Sequence, residues 1–167
     1  MMNLSVANVC AFFVLTWGTN IALNLLYVLK KFFPKVGKLD MPVDGGLLLW
    51  DKRRMVGDST TVFGIVVVLL CGLVFFYSNF FVKEVALLAP ILVYFGHLLG
   101  SFVKRRFDKE FIPFVDHGDY VPFSGVVLSL LHLLAPRVAL ITLLITYLLH
   151  PLATLVAFRF GLREKSY

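Results

Sequence analysis

The chain has 167 residues, 59% hydrophobic and only 16% charged, with a mean hydropathy of +0.87 and a formal net charge of +6. Soluble domains run near about 25% charged, so the composition excludes a soluble globular domain, a disordered chain and a soluble nucleic-acid binder. No nucleic-acid partner is expected. Cys10 and Cys71 each stand alone in an apolar run, which excludes a disulfide framework and a zinc site.

Uncharged runs mark the predicted elements in chain order. A helix needs about 20 apolar residues to cross a hydrocarbon core of roughly 30 Å. The runs predict an all-α, polytopic membrane protein of one domain, 1–167, with five transmembrane helices near 4–29, 60–82, 85–103, 120–136 and 138–158. The fourth run is short and framed by Pro122 and Pro136. All of the 16 basic residues except Lys83 and Arg137 fall in 30–59, in 104–119 or after the last run. The positive-inside rule makes those segments cytoplasmic, with the N-terminus outside and the C-terminus inside. The first run has no basic n-region and is expected to remain as a signal anchor.

The acids are the more informative charges. All of the 10 except Glu84 and Glu164 lie in the two cytoplasmic loops, although a topological anchor needs only Lys and Arg. Lys104, Arg105 and Arg106 suit phosphate oxygens. Asp116 and Asp119, three apart, would share one face of a helix beginning near Asp116. Carboxylates facing phosphates need a cation between them, and hard oxygen ligands suit Mg²⁺. The first loop adds a turn, Pro42-Val43-Asp44-Gly45-Gly46, whose glycines allow close backbone approach to a ligand. Gly57-Asp58-Ser59-Thr60-Thr61 then opens the second helix, with Asp58 or Ser59 as N-cap and an anion-welcoming helix terminus.

Within the apolar runs, His97, His132 and His150 show no ligand spacing and read as neutral side chains hydrogen-bonded to a neighbouring helix. Gly96 and Gly100 form a GxxxG stretch suited to close helix packing. Asn20 and Asn24 share a face and are expected to bond across to another helix. There is no Walker phosphate loop, no H-E-x-x-H and no G-x-S-x-G. Leu48 and Leu49 after Asp44-Gly45 break the CDP-alcohol phosphotransferase pattern.

Taken in order, PVDGG, W-D-x-R-R-x-x-G-D-S-T-T-x-x-G, S-F-x-K-R-R, P-F-x-D-H-G-D and H-P-L-A-T-L-V-A-F-R-F-G-L-R resemble the archaeal CDP-archaeol synthases, from about Leu39 to the C-terminus. The second-loop pattern also looks like the signature of CDP-diacylglycerol synthases. The resemblance implies transfer of a cytidylyl group from CTP to an isoprenoid ether-lipid phosphate at the cytoplasmic face of the cell membrane. It implies Asp116, Asp119, Lys104 and Arg105 as catalytic residues, and Asp116, Asp119, Asp58 and Asp44 as candidates for Mg²⁺. The substrates would be held by Pro42 to Gly46, Arg53, Arg54, Gly57 to Thr61 and Lys104 to Arg106. Ser59 and Thr60 stand where the family has Lys-Thr, leaving Arg53 or Arg54 to supply that charge, and Thr154 stands for the usual Asn. The alternatives are a CDP-diacylglycerol synthase acting on phosphatidic acid and, in a different class, a small membrane transporter or scaffold.

Overall fold

The computed structural model describes residues 4–33, 40–57, 60–78, 80–108, 112–116 and 118–161. The helices are α1 (Val6–Phe32), α2 (Val62–Tyr77), α3 (Lys83–Arg106), the single turn α4 (Pro113–Asp116), α5 (Tyr120–Leu130) and α6 (Pro136–Arg159). Local chemistry explains several of their ends. Ser5 Oγ accepts from the Asn8 N–H at 3.1 Å and caps α1. Glu84 in the first turn of α3 and Lys104, Arg105 and Arg106 in its last turn complement the helix dipole. Pro136 opens α6, where its missing N–H costs no helical bond.

The five long helices close a ring: α1 packs on α2, α2 on α3, α3 on α5, α5 on α6 and α6 on α1, with α1 also touching α3. Phe12, Leu15, Val85, Val93, Tyr120, Leu128 and Val138 fill the interior and are fully buried. Leucines such as Leu70, Leu144, Leu148 and Leu152 face outward. On a soluble protein so much exposed apolar surface would drive association; here it is the lipid-facing side of a multi-pass membrane protein.

The expected count of five transmembrane helices is corrected. Three helices are long and apolar enough to cross a membrane by length and composition: α1 over Val6–Leu29, α3 and α6. The second and fourth expected spans are the shorter apolar helices Val62–Tyr77 and Tyr120–Leu130. At 1.5 Å per residue they reach roughly 24 and 17 Å, against a core of about 30 Å.

An uncharged run does not have to be helical throughout. The second run stops at Ser78, whose hydroxyl bonds back to the Phe75 carbonyl at 2.7 Å. The fourth stops where His132, at φ 57°, enters the left-handed region. There the Leu133 N–H reaches the Leu128 carbonyl at 2.9 Å and the His132 N–H reaches that of Ser129 at 3.0 Å, the two bonds of a Schellman cap. His132 is therefore an exposed cap residue rather than a helical histidine. No β-sheet is present among the described residues, and only two isolated bridges, Pro42 with Thr61 and Leu48 with Arg54, order the first loop.

Candidate functional site

The first loop is tied down by one carboxylate. Asp44 Oδ1 accepts from the Gly46 N–H at 3.0 Å and from Arg54 Nη2 at 2.8 Å, and Asp44 Oδ2 accepts from the Val56 N–H at 3.0 Å. Its side chain has no exposed surface. Burial alone would raise the Asp44 carboxyl, but the Val56 N–H, the Arg54 guanidinium and the Gly46 N–H override it and hold it below its ordinary 3.8. Gly45 and Gly46 take φ 55° and 84° with open space around them, so Pro42 to Gly46 form a tight turn presenting backbone. Asp44 is thus the latch of the turn, accepting three hydrogen bonds from the residues around it.

The start of α2 is capped from a distance. Its N-cap residue is Thr61, which makes no side-chain capping bond. Asp40 instead accepts from the Phe63 N–H at 3.1 Å, and Tyr94 Oη donates to the Thr61 carbonyl at 2.6 Å. Gly64 permits this: a Cβ there would stand 2.7 Å from the Tyr94 ring. The expected caps, Asp58 and Ser59, lie outside the described residues, while Gly57, Thr60 and Thr61 sit buried at the helix entrance.

One face of α3 gathers the rest. His97, Gly100, Ser101 and Lys104 stand at i, i+3, i+4 and i+7, the spacing that aligns residues along one side of a helix. Lys104 Nζ meets Asp116 Oδ1 at 2.5 Å, and Asp116 Oδ2 accepts from the Ile112 N–H at 2.7 Å. Ser101 Oγ lies 3.3 Å from Thr60 Oγ1 of the first loop. His97 Nδ1 lies 3.2 Å from Asp119 Oδ1. Gly100 leaves the room that Asp119 occupies: a Cβ there would collide with Asp119 Oδ2 and stand 2.9 Å from Val115. Gly96, one turn earlier, faces the Tyr120 Cα at 2.6 Å by the same construction. The GxxxG stretch does pack closely, and its partner is the acid-bearing start of α5.

Asp116 and Asp119 do not share one helix, as their spacing suggested. Asp116 closes the turn α4, and Asp119 is the N-cap residue of α5, yet its side chain makes no capping bond. That carboxylate turns toward α3 instead. Its buried Oδ1 lacks a well-aligned hydrogen bond even with His97 close by, so it retains acceptor capacity in an enclosed position. A hard cation suits such an oxygen, so the Asp119 carboxylate fits Mg²⁺. Among the described residues no three His, Cys, Asp or Glu side chains converge; Asp58, the remaining candidate, is not among them.

The basic triplet divides because consecutive helical residues point about 100° apart. Lys104 faces Asp116. Arg106 turns to the first loop, with Nε 3.1 Å from Asp51 Oδ2 and Nη1 donating to the Arg54 carbonyl at 3.2 Å. Arg105 is exposed, without an ion pair to any described side chain. Arg53 closes the junction, donating from Nη1 to the carbonyls of Arg105 and Arg106 at 2.8 and 2.9 Å. The Arg53 and Arg54 guanidiniums thus bridge the first loop and the end of α3 and latch the Asp44 turn.

Four residues stand at the site that the sequence did not assign to it: His97, Gly100, Ser101 and Asp51. The first three were legible as an i, i+3, i+4, i+7 series ending on Lys104; Asp51 carries no such signal. Other polar side chains of the long helices bond to one another. Asn24 bonds to Asn20 on its own helix rather than across to another, His150 Nδ1 lies 3.4 Å from Thr154 Oγ1, and Trp17 Nε1 donates to Thr146 at 3.0 Å.

The chain is similar to known proteins. The family model described as CarS-like, CDP-archaeol synthase, matches residues 75–167. The CDP-archaeol synthase of Pyrobaculum islandicum is 27% identical over 93% of this chain and 97% of its own length. That of Aeropyrum pernix is 31% identical over 86% and 88%. A solved structure reported as "Structural insight into an intramembrane enzyme for archaeal membrane lipids biosynthesis" aligns with a TM-score of 0.59 at 26% identity, over 85% of this chain and 92% of that one. The chain belongs to the CarS-like family of CDP-archaeol synthases, membrane enzymes of the nucleotidyltransferase type.

Proposed function

We propose that the chain transfers the cytidylyl group of CTP to the phosphate of 2,3-di-O-geranylgeranylglycerol 1-phosphate in membrane phospholipid biosynthesis. A lipid-phosphate oxygen forms a bond to the α-phosphorus of CTP. The bond from that phosphorus to the β-phosphate bridging oxygen breaks, and pyrophosphate leaves as the CDP-lipid forms. A phosphomonoester is already nucleophilic at neutral pH, so no strong base is required. The barrier lies in bringing two polyanions together.

The observation that carries this reading is the convergence of both polar loops on the His97, Gly100, Ser101 and Lys104 face of α3. Asp119, with Asp116 beside it in sequence, would hold Mg²⁺, which when bound neutralises phosphate charge and favours in-line displacement. Lys104 and the exposed Arg105 would offer cations to the phosphates. The hydroxyls of Thr60 and Ser101 and the backbone of Pro42 to Gly46 would orient the nucleotide. By the positive-inside rule the basic loops would face the cytoplasm, where soluble CTP would meet a lipid whose tails remain among the apolar helix flanks.

Purified protein supplied with CTP, the ether-lipid phosphate and Mg²⁺ should release pyrophosphate and CDP-lipid in equal amounts, and chelation should stop both. An equimolar competition with phosphatidic acid should favour the ether lipid. Absence of turnover on the ether lipid would sink the proposal, and preference for phosphatidic acid would reassign the substrate.

A further inference from the structure

We propose that the hairpin spanning residues 47–55 docks on the bilayer, its exposed Leu47, Leu48 and Trp50 inserting into the lipid headgroup layer. Two backbone bonds define the hairpin, from the Leu49 N–H to the Arg53 carbonyl at 2.9 Å and from the Met55 N–H to the Leu47 carbonyl at 3.1 Å. Leu47 and Leu48 are 55% and 59% exposed, and Trp50 is 84% exposed. A loop that only carried polar ligands would have no reason to present three large apolar side chains outward.

The hairpin sits at the right depth. Arg53 ties it to the last two carbonyls of α3, and Arg106 ties α3 back to the Arg54 carbonyl. The Arg106 guanidinium lies 4.3 Å over the Phe102 ring, one turn deeper in that spanning helix, and 6.0 Å from the Trp50 ring. Trp50, Arg106 and Phe102 thus step from the hairpin onto the end of a membrane-crossing helix, the level at which tryptophan and arginine concentrate in membrane proteins.

The charge beside the tip also fits lipid phosphates. Lys52 and Arg105 are exposed, while the nearby acid, Asp51, faces Arg106. An apolar tip flanked by cations is the composition that partitions into an anionic interface. Docking would hold the loop bearing Pro42 to Gly46 against the bilayer, so that the lipid's phosphate and the loop stay at one level.

The chain has 2 tryptophans, so Trp17→Phe leaves Trp50 as the sole reporter. The variant is reconstituted in phosphatidylcholine vesicles containing a minor share of phosphatidylglycerol. Trp50 emission is then challenged with lipids nitroxide-labelled near the headgroup, lipids labelled deep in the acyl chain, and aqueous iodide. Blue-shifted emission, quenched most by the shallow label and unchanged by CTP with Mg²⁺, is the expected result. Water-like emission quenched most by iodide would overturn docking, as would strongest quenching by the deep label. Shielding that comes only with CTP would make the tip a flap over the nucleotide, and shielding that grows with protein density would make it a contact between copies. Should Trp17→Phe fail to fold, subtracting the Trp50→Phe signal from that of the unmodified protein gives the same readout.

Discussion

A methyl group at position 100 would stand where Asp119 Oδ2 now lies. In an isolated helix Gly→Ala is favourable by about 1 kcal/mol, so Gly100→Ala separates helix propensity from the seat it provides for Asp119. We expect folded protein whose turnover falls roughly 10- to 100-fold, the scale of an ångström-size displacement of a catalytic group, with a higher Mg²⁺ requirement. Unchanged turnover and Mg²⁺ dependence would show that Asp119 needs no such seat.

Asp44 makes a different prediction. With its folded pKa depressed below 3.8, its contribution is fully present above the ordinary carboxylate range and is lost as pH falls through the lower folded value. Asp44→Asn should cost about 1–3 kcal/mol at neutral pH, read as a lower unfolding midpoint in detergent, and the gap to the unmodified protein should narrow only in strong acid. Sequence marked Asp44 as functional through its neighbours Gly45 and Gly46, but could not show that Arg54 and Val56 fold back onto it.

At the scale of elements, the boundaries were less legible than the elements themselves. Charge placement marked the positions of α1, α3 and α6 well, because Lys and Arg are costly in hydrocarbon. It overextended α2 and α5, because nothing about lacking charge keeps Ser78 or His132 helical. The cap of α2 was invisible locally, since Asp40 acts from across the loop. The end of α5 is directly testable. A non-glycine residue at φ 57° is strained by roughly 1 kcal/mol, so His132→Gly should raise the unfolding midpoint by a comparable stabilisation while leaving turnover intact. An unchanged or lower midpoint would mean that the cap carries no strain to relieve.

At the scale of the whole molecule, the informative feature is that both polar loops meet one end of α3. Exposed Lys52 and Asp108 flank the Arg53 and Arg106 contacts that join the two loops, and should therefore share a side of the membrane. In a background with Cys10 and Cys71 replaced by Ser, Lys52→Cys and Asp108→Cys should react with an impermeant maleimide from one and the same side. Labelling of Lys52→Cys and Asp108→Cys from different sides would separate the loops and dissolve the site. The convergence itself was partly readable from the acids crowded into both loops. Lys104 to Arg106 are consecutive in sequence, yet helical rotation points Lys104 at Asp116, Arg106 at the first loop and Arg105 outward.

The central claim, that the acids brought onto α3 work as the metal-dependent centre of a cytidylyltransferase, is tested most directly by pyrophosphate release from CTP and the ether-lipid phosphate across a Mg²⁺ titration. Asp116→Asn and Asp119→Asn should each lower turnover by roughly 100-fold or more, with Asp119→Asn also weakening the response to Mg²⁺. Full activity with an unshifted Mg²⁺ titration in both variants would contradict the account.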